Sequence, residues 1–208
     1  MHPRSAHRPV VLTGGVGSGK SSVGRLLSAW GAHVVDADVL AREVVAPGGA
    51  GLAAVVAAFG TAVLSADGSL DRAGLAELVF NAPDQLAQLE AIIHPQVQSE
   101  AAERFALDRD AALLVYEVPI PGHSPFADPP VVVVVDAPDD ARRERLRQRG
   151  LDETQIEARM AAQQSRVEWL ALADRVVDNG GDEVALRVQV ARLWRWLTGD
   201  DPPVSAGR

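Results

Sequence analysis

Eight consecutive residues carry chemistry that the rest of the chain must position: Gly14-Gly15-Val16-Gly17-Ser18-Gly19-Lys20-Ser21, directly after the apolar run Val10-Val11-Leu12. The spacing G-x-x-x-x-G-K-[ST] is that of a phosphate-binding loop. Glycines let the backbone curl so that successive N–H groups converge on a β-phosphate. A lysine ammonium then meets the β/γ oxygens, and a serine hydroxyl is offered to Mg²⁺. A glycine-rich turn with no ligand would not need the lysine. Lys20 is the only lysine in a chain with nineteen arginines, so a compact ammonium is kept where a planar fork would not serve.

Four further groups could act on a bound phosphate or its acceptor. Asp36-Ala37-Asp38 lies just after the loop's own strand–helix unit. A phosphoryl-transfer enzyme needs a carboxylate there to take the proton of the attacking hydroxyl, and a helix start needs one as a cap. Both roles are expected to be filled, one by each residue. Arg142, Arg143, Arg145, Arg147 and Arg149 fall within one short helical stretch. Part of that set is a solvated face, with Arg143 expected to pair with Asp139 at i, i+4. At least one of the set is expected to reach a transferring phosphate as part of a lid. His94-Pro95 sits among helical residues, where a histidine is more often structural than functional. Asp178-Asn179-Gly180-Gly181 is a turn at the carboxyl end of the last strand, where an amide or backbone group could meet a purine base, although a plain type I′-like turn explains the spelling equally well.

The elements that must hold these groups are legible from periodicity and punctuation. Strand one covers about 9–13, and Val23, Leu26, Leu27 and Trp30 at i, i+3, i+4, i+7 mark a helix whose N-terminus meets the phosphates. Gly31 closes that helix, and Ala32 to Asp36 is a second strand. Val39 to Val45 is helical until Pro47-Gly48-Gly49. Pieces with helical spacing then run at 53–59, at 72–80 with Asp71 as cap, and from about Pro83; Asp67-Gly68 is a turn. Alternation resumes with a strand within 111–118 and a proline-rich loop to 130. Five consecutive valines, Val131 to Val135, mark a central parallel strand buried on both faces. Pro138 is expected at the first helical position of the arginine-rich helix, with Gly150 at its end. Helical segments at about 152–164 and 165–173, a strand at 175–178 and a final helix capped by Asp182 complete the chain.

This alternation predicts an α/β fold: a five-stranded parallel sheet with helices on both faces and the site at the carboxyl ends of the strands. The predicted division is one kinase-like domain over 9–198. Its core is 9–47 and 109–198, with a helical acceptor lobe at about 48–108 and a lid at about 138–165. Residues 1–8 and 199–208 are expected to be loose tails.

Composition bounds the function. A net charge of −8 argues against a nucleic-acid surface, so phosphate affinity must be local. There is no cysteine, hence neither a disulfide framework nor a cysteine metal site. With no run of apolar residues long enough to span a bilayer, and none near Met1 to Pro9 to serve as a signal peptide, the expectation is a soluble, cytoplasmic protein.

The chain resembles the dephospho-CoA kinase family. The resemblance rests on Leu-Thr-Gly-Gly-Val-Gly-Ser-Gly-Lys-Ser at 12–21 and Val-Val-Asp-Ala-Asp-Val-Leu-Ala-Arg-Glu-Val-Val at 34–45. It continues through Ile-Ile-His-Pro at 92–95, Arg-Met-Ala-Ala-Gln at 159–163 and Ala-Asp-Arg-Val-Val-Asp-Asn-Gly-Gly at 173–181. It implies transfer of the ATP γ-phosphate to the 3′-hydroxyl of the dephospho-CoA ribose, with Mg²⁺ as cofactor and ATP and dephospho-CoA as partners. Neither nucleic acid nor membrane is implied, and the chain is expected to be a monomer or weak homo-oligomer. By the same resemblance Asp38 is the catalytic carboxylate, with Lys20 and one of Arg145 and Arg149 acting on the phosphate. ATP would be held by Gly15, Val16, Gly17, Ser18, Gly19, Lys20, Ser21, Ser22 and Asn179, and Mg²⁺ by Ser21. Arg42 and His94, with Asp38, fall at the acceptor pocket. One departure stands out: where the family usually reads Pro-Leu-Leu-Phe-Glu, this chain has Pro119-Ile120-Pro121-Gly122-His123.

Three rival readings are weighed against this one. Another small-molecule or nucleoside monophosphate kinase would share the architecture, but the Asp-Ala-Asp block and the helical lobe speak against it. A GTPase switch would carry a guanine-reading Asn-Lys-x-Asp, which a chain with its sole lysine at Lys20 lacks. A catalytically dead relative would be explained by the altered 119–123 segment.

Overall fold

The computed structural model describes residues 8–80, 82–108, 110–119 and 124–203. Among these the elements run β1 (Val10–Thr13), α1 (Lys20–Ala29), β2 (Ala32–Asp36), α2 (Ala37–Val44) and α3 (Ala50–Phe59), then a 3-10 turn at Thr61–Val63. They continue with α4 (Arg72–Phe80), α5 (Pro83–Leu107), β3 (Leu113–Glu117), β4 (Val131–Asp136) and α6 (Asp139–Gln148). The last four are α7 (Glu153–Ala161), α8 (Arg166–Ala171), β5 (Arg175–Asp178) and α9 (Glu183–Thr198).

The strands form one sheet in the order β2-β3-β1-β4-β5. β1 is central and pairs in parallel with β3 on one side and β4 on the other, and β4 pairs in parallel with β5. The expected α/β architecture is therefore present. Because β1 and β4 are flanked on both edges and covered on both faces, Val10, Leu12 and Val133 are fully buried. α1 and α9 pack together through Trp30 and Trp194, whose rings meet edge to face at 5.9 Å. Each fully buried valine or leucine here contributes about 1.5–3 kcal/mol. That packing fixes the strand before the loop and the helix after it.

The chain divides into two compact units, one formed by 1–35 with 105–208 and the other by 36–104. The second unit is helical apart from a short antiparallel bridge between Leu64 and Leu70. Its own core gathers Val45, Val55, Val63, Leu75 and Val79. Asp71 caps α4 by accepting from the Gly74 N–H at 3.0 Å, and Asp67 closes the turn at Gly68 by accepting from Ser69. α5 runs straight through Pro95. A proline there has no N–H for the helix ladder and crowds the turn before it. The Gln96 side chain donates to the Ile92 carbonyl at 3.1 Å, next to the Ala91 carbonyl whose ladder donor Pro95 removes.

Three local expectations need correction. Pro138 is the N-cap of α6 and not its first helical residue, since its ψ of 150° is extended. Arg143 does not pair with Asp139: Arg142 takes that carboxylate at 3.0 Å, at i, i+3, while Arg143 reaches Glu153 on α7. The helical segments expected at 152–164 and 165–173 are shorter, leaving a turn at 162–165 between α7 and α8. Both short helices carry capping boxes, Asp152 with Gln155 and Ser165 with Glu168. Such caps contribute about 1 kcal/mol each to helices too short to persist alone. The unusual Ile120-Pro121-Gly122-His123 lies outside the described residues.

Candidate active site

The phosphate loop is built by close approach, and its glycines are required by what lies against them. A Cβ on Gly19 (φ +97°) would stand 2.1 Å from the Asn179 amide nitrogen. One on Gly15 would stand 2.6 Å from the Arg142 guanidinium. Across the loop, Lys20 Nζ donates to the Gly14 carbonyl at 2.8 Å. α1 begins at Lys20, and its N-cap Gly19 makes no side-chain cap hydrogen bond.

Asn179 and Arg145 hold the far side of the loop. The Asn179 amide donates to the Ser18 carbonyl at 2.7 Å and is almost wholly buried. Arg145 donates to the carbonyls of Ser18 at 3.2 Å and Asn179 at 2.7 Å. A cleft of about 580 Å³ opens beside the loop, bordered by Gly19, Ser22, Arg145, Arg149, Asn179 and Gly181. That size suits a small-molecule ligand. Of the five arginines, Arg145 and Arg149 thus border the cleft and Arg142 lies on the loop, whereas Arg143 and Arg147 form ion pairs with Glu153.

Glu117, missed by reading the sequence, ends β3 and is buried. Its Oε1 accepts from the Ser21 hydroxyl at 3.1 Å. The available signal was an acidic residue closing the apolar run Leu113-Leu114-Val115-Tyr116 at the carboxyl edge of the sheet. Ser21 and Glu117 together present hard oxygen donors, the set that suits Mg²⁺ when phosphates supply further ligands. Among the described residues no group of three or more histidine, cysteine, aspartate or glutamate side chains is arranged to hold a metal ion. Asp136, which ends β4, is paired with Arg166 through contacts of 2.7–3.1 Å.

Asp36, Asp38, Arg42 and His94 belong to the second unit. Asp36 caps α2: its Oδ1 accepts from the N–H groups of Asp38 at 2.8 Å and Val39 at 3.4 Å. Of the two aspartates, the structural role therefore falls to Asp36. The Arg42 carbonyl accepts from Arg72 at 3.1 Å. No helix among the described residues is long and apolar enough to cross a membrane.

A parallel sheet with β1 at its centre, a glycine-rich loop leading into α1 and arginines from α6 over that loop define a P-loop kinase. The dephospho-CoA kinase family profile matches residues 8–184. A dephospho-CoA kinase of Thermobifida fusca is 48% identical over 190 residues, 90% of this chain and 95% of that protein. Among solved structures, TT1252 from Thermus thermophilus superposes with a TM-score of 0.72 at 32% identity, covering 90% of this chain and 96% of that one. The dephospho-CoA kinase from Campylobacter jejuni shares the fold, with a TM-score of 0.62 at 22% identity over 94% of this chain and all of that one. The chain belongs to the dephospho-CoA kinase family, whose reaction phosphorylates dephospho-CoA to coenzyme A, the last step of its biosynthesis.

Proposed function

We propose that the chain transfers the γ-phosphate of ATP to the 3′-hydroxyl of the ribose of dephospho-CoA, with Mg²⁺ required. The observation that carries this reading is the cleft beside Gly19 and Ser22, continuous with a phosphate loop whose lysine and serine open α1. In this reading the triphosphate lies in the loop and the nucleoside in the cleft beside Arg149 and Asn179. Lys20 neutralises the β/γ oxygens, and the α1 N-terminus adds its dipole. Ser21, oriented by Glu117, would hold Mg²⁺, which supplies positive charge at the phosphate oxygens when bound.

The acceptor hydroxyl is a weak nucleophile with a pKa far above neutral, so its proton must leave as the new bond forms. Asp38 is the residue assigned to take that proton, and Arg42 and His94 are assigned to the acceptor; these roles rest on the family resemblance. Arg145 and Arg149 are assigned to the transferring phosphate, where charge spreads over the equatorial oxygens. Asn179 acts on ATP through the Ser18 carbonyl that it holds. Residues 48–108 are assigned to the acceptor lobe and 138–165 to the lid.

The test is ADP formation with dephospho-CoA as acceptor, set beside AMP, shikimate and gluconate under the same conditions. Turnover with dephospho-CoA should exceed each of the others by at least roughly a hundredfold, about 2.7 kcal/mol of transition-state discrimination. Faster turnover with any of the other three would overturn the assignment of the acceptor.

A further inference from the structure

The turn between α7 and α8 places Gln163 on the phosphate loop, where its Oε1 accepts from the Val16 N–H at 2.7 Å. From α6, Arg142 Nε donates to the Val16 carbonyl at 2.9 Å. The N–H and the carbonyl of one residue belong to the two peptide planes on either side of its Cα. Each plane is rigid, so the two bonds together fix the backbone at Val16. Arg142 is only 8% exposed. It is held in turn by Asp139 at 3.0 Å and lies 3.5 Å from the Gln163 oxygen. Gly15 lacks the Cβ that would push the guanidinium off the loop.

Neither Gln163 nor Arg142 borders the cleft beside the loop. Gln163 Oε1 and Arg142 Nε are both spent on the backbone of Val16. Of the two residues between Gly14 and Gly17, only Val16 has a side chain that restricts the backbone, since the other is Gly15. A loop this rich in glycine must lose many conformers when it closes on a triphosphate, unless it is already held in shape.

We propose that Gln163 and Arg142 are a positioning pair that sets the backbone at Val16, so that ATP affinity depends on how the turn between α7 and α8 and helix α6 seat on the loop. The pair acts through Val16 and touches no reacting atom. The inference rests on the ATP-binding reading above and deepens it.

The experiment is calorimetric binding of Mg²⁺ with a non-hydrolysable ATP analogue to the full chain, together with the thermal midpoint without nucleotide. Gln163→Met keeps the volume but removes the acceptor, and it should weaken the analogue at least about tenfold, or 1.4 kcal/mol. Its nucleotide-free midpoint should stay within about 2 °C, because a single half-buried turn contact contributes little to global stability. Gln163→Glu keeps an acceptor oxygen and gives Arg142 a second counter-charge beside Asp139; its affinity should return to within about threefold of the original. Arg142→Lys loses the fork that spans Val16 and Asp139 and should also weaken binding. The double variant Gln163→Met with Arg142→Lys should be no more than slightly weaker than the worse single one, since both act on one backbone segment. In turnover, KM for ATP should rise in the Met variant while kcat changes much less.

Unchanged or tighter binding by Gln163→Met overturns the inference, as does strict additivity in the double variant. A loss of affinity that tracks a fall in the midpoint, with Gln163→Glu no better than Gln163→Met, makes the contact merely structural and overturns it equally. Failure of the unsubstituted protein to bind the analogue would instead remove the ATP-binding reading itself.

Discussion

Ser21 Oγ donates to Glu117 Oε1 at 3.1 Å, joining the first turn of α1 to the carboxyl end of β3. Two elements far apart in sequence thereby place a hydroxyl and a carboxylate side by side at the mouth of the phosphate loop. Gly24 on α1 permits the approach, since a Cβ there would lie 2.9 Å from Glu117 Oε2.

Glu117→Gln keeps an acceptor for the serine hydroxyl and removes the charge. Groups that orient a metal ligand typically change metal affinity about 10–100-fold. The Mg²⁺ concentration giving half-maximal turnover should rise by that factor, with the fold intact by circular dichroism. An unchanged Mg²⁺ dependence would limit Glu117 to packing.

Lys20 should tolerate neither of two replacements. Lys20→Ala leaves the β/γ-phosphate charge unneutralised and should lower kcat by about 10²–10³-fold, the range for loss of one preorganised donor. Lys20→Arg restores the charge but as a planar fork where the loop offers room for a compact ammonium bonded to Gly14, and should remain severely impaired. Steady-state kinetics with both variants check this, and near-normal turnover in the arginine variant would refute it.

Apart from Arg142, which lies on the loop, the arginines of 142–149 should divide into two groups. Arg143 and Arg147 pair with Glu153 at the surface, where solvent screens the charges, so Arg147→Ala should leave both stability and turnover nearly unaltered. Arg145→Ala and Arg149→Ala should each lower kcat at least roughly tenfold. Five equal, small effects along 142–149 would mean that the set is only a solvated face.

Glu153 makes that surface network pH-dependent. A hydrogen bond from Arg147, then its charge and those from Arg143, hold the Glu153 carboxyl below its ordinary value of 4.5. A depressed carboxylate stabilises the folded state above the unfolded pKa, and the contribution disappears as pH falls through the folded one. A plot of thermal midpoint against pH should therefore drop less steeply below about pH 4.5 in Glu153→Gln than in the unsubstituted protein. Identical slopes would show that the network contributes nothing measurable.

The two aspartates after β2 should separate stability from chemistry. Asp36→Ala removes the α2 cap and should destabilise by about 1 kcal/mol in chemical denaturation. Asp38→Asn should leave ATP affinity near its original value while kcat falls about 10²–10⁴-fold, the usual span for loss of a general base. The reverse pattern would exchange their roles.

The reading of the chain succeeded where local chemistry decides structure. The phosphate loop, the valine strand β4 and the caps at Asp71 and Asp182 each follow from side-chain type at a fixed offset. The same holds for Asp36, whose capping role needs only neighbours two and three residues on. What was not legible depends on partners distant in sequence. Glu117 acquires meaning only because β3 lies beside β1, and Gln163 only because the turn between α7 and α8 reaches Val16. Arg143 was assigned to Asp139 by helical spacing, but Arg142 faces inward and Arg143 faces α7, which is a matter of tertiary packing. The helix expected from about Pro83 had no end marked in the sequence; α5 continues through Pro95 to Leu107, with Leu89, Ile92 and Ile93 packed on the core of its unit.

The central claim is that ATP phosphorylates the ribose of dephospho-CoA, and its most direct measurement is the position of the new phosphate in the product. Incubation with dephospho-CoA and ATP, followed by phosphorus NMR and mass spectrometry, should show one added phosphate as a 3′-phosphomonoester on the ribose, formed in step with ADP. The Lys20→Ala protein, treated identically, should yield almost none. ADP formation without a phosphorylated acceptor, or a phosphate at any other position, would contradict the account.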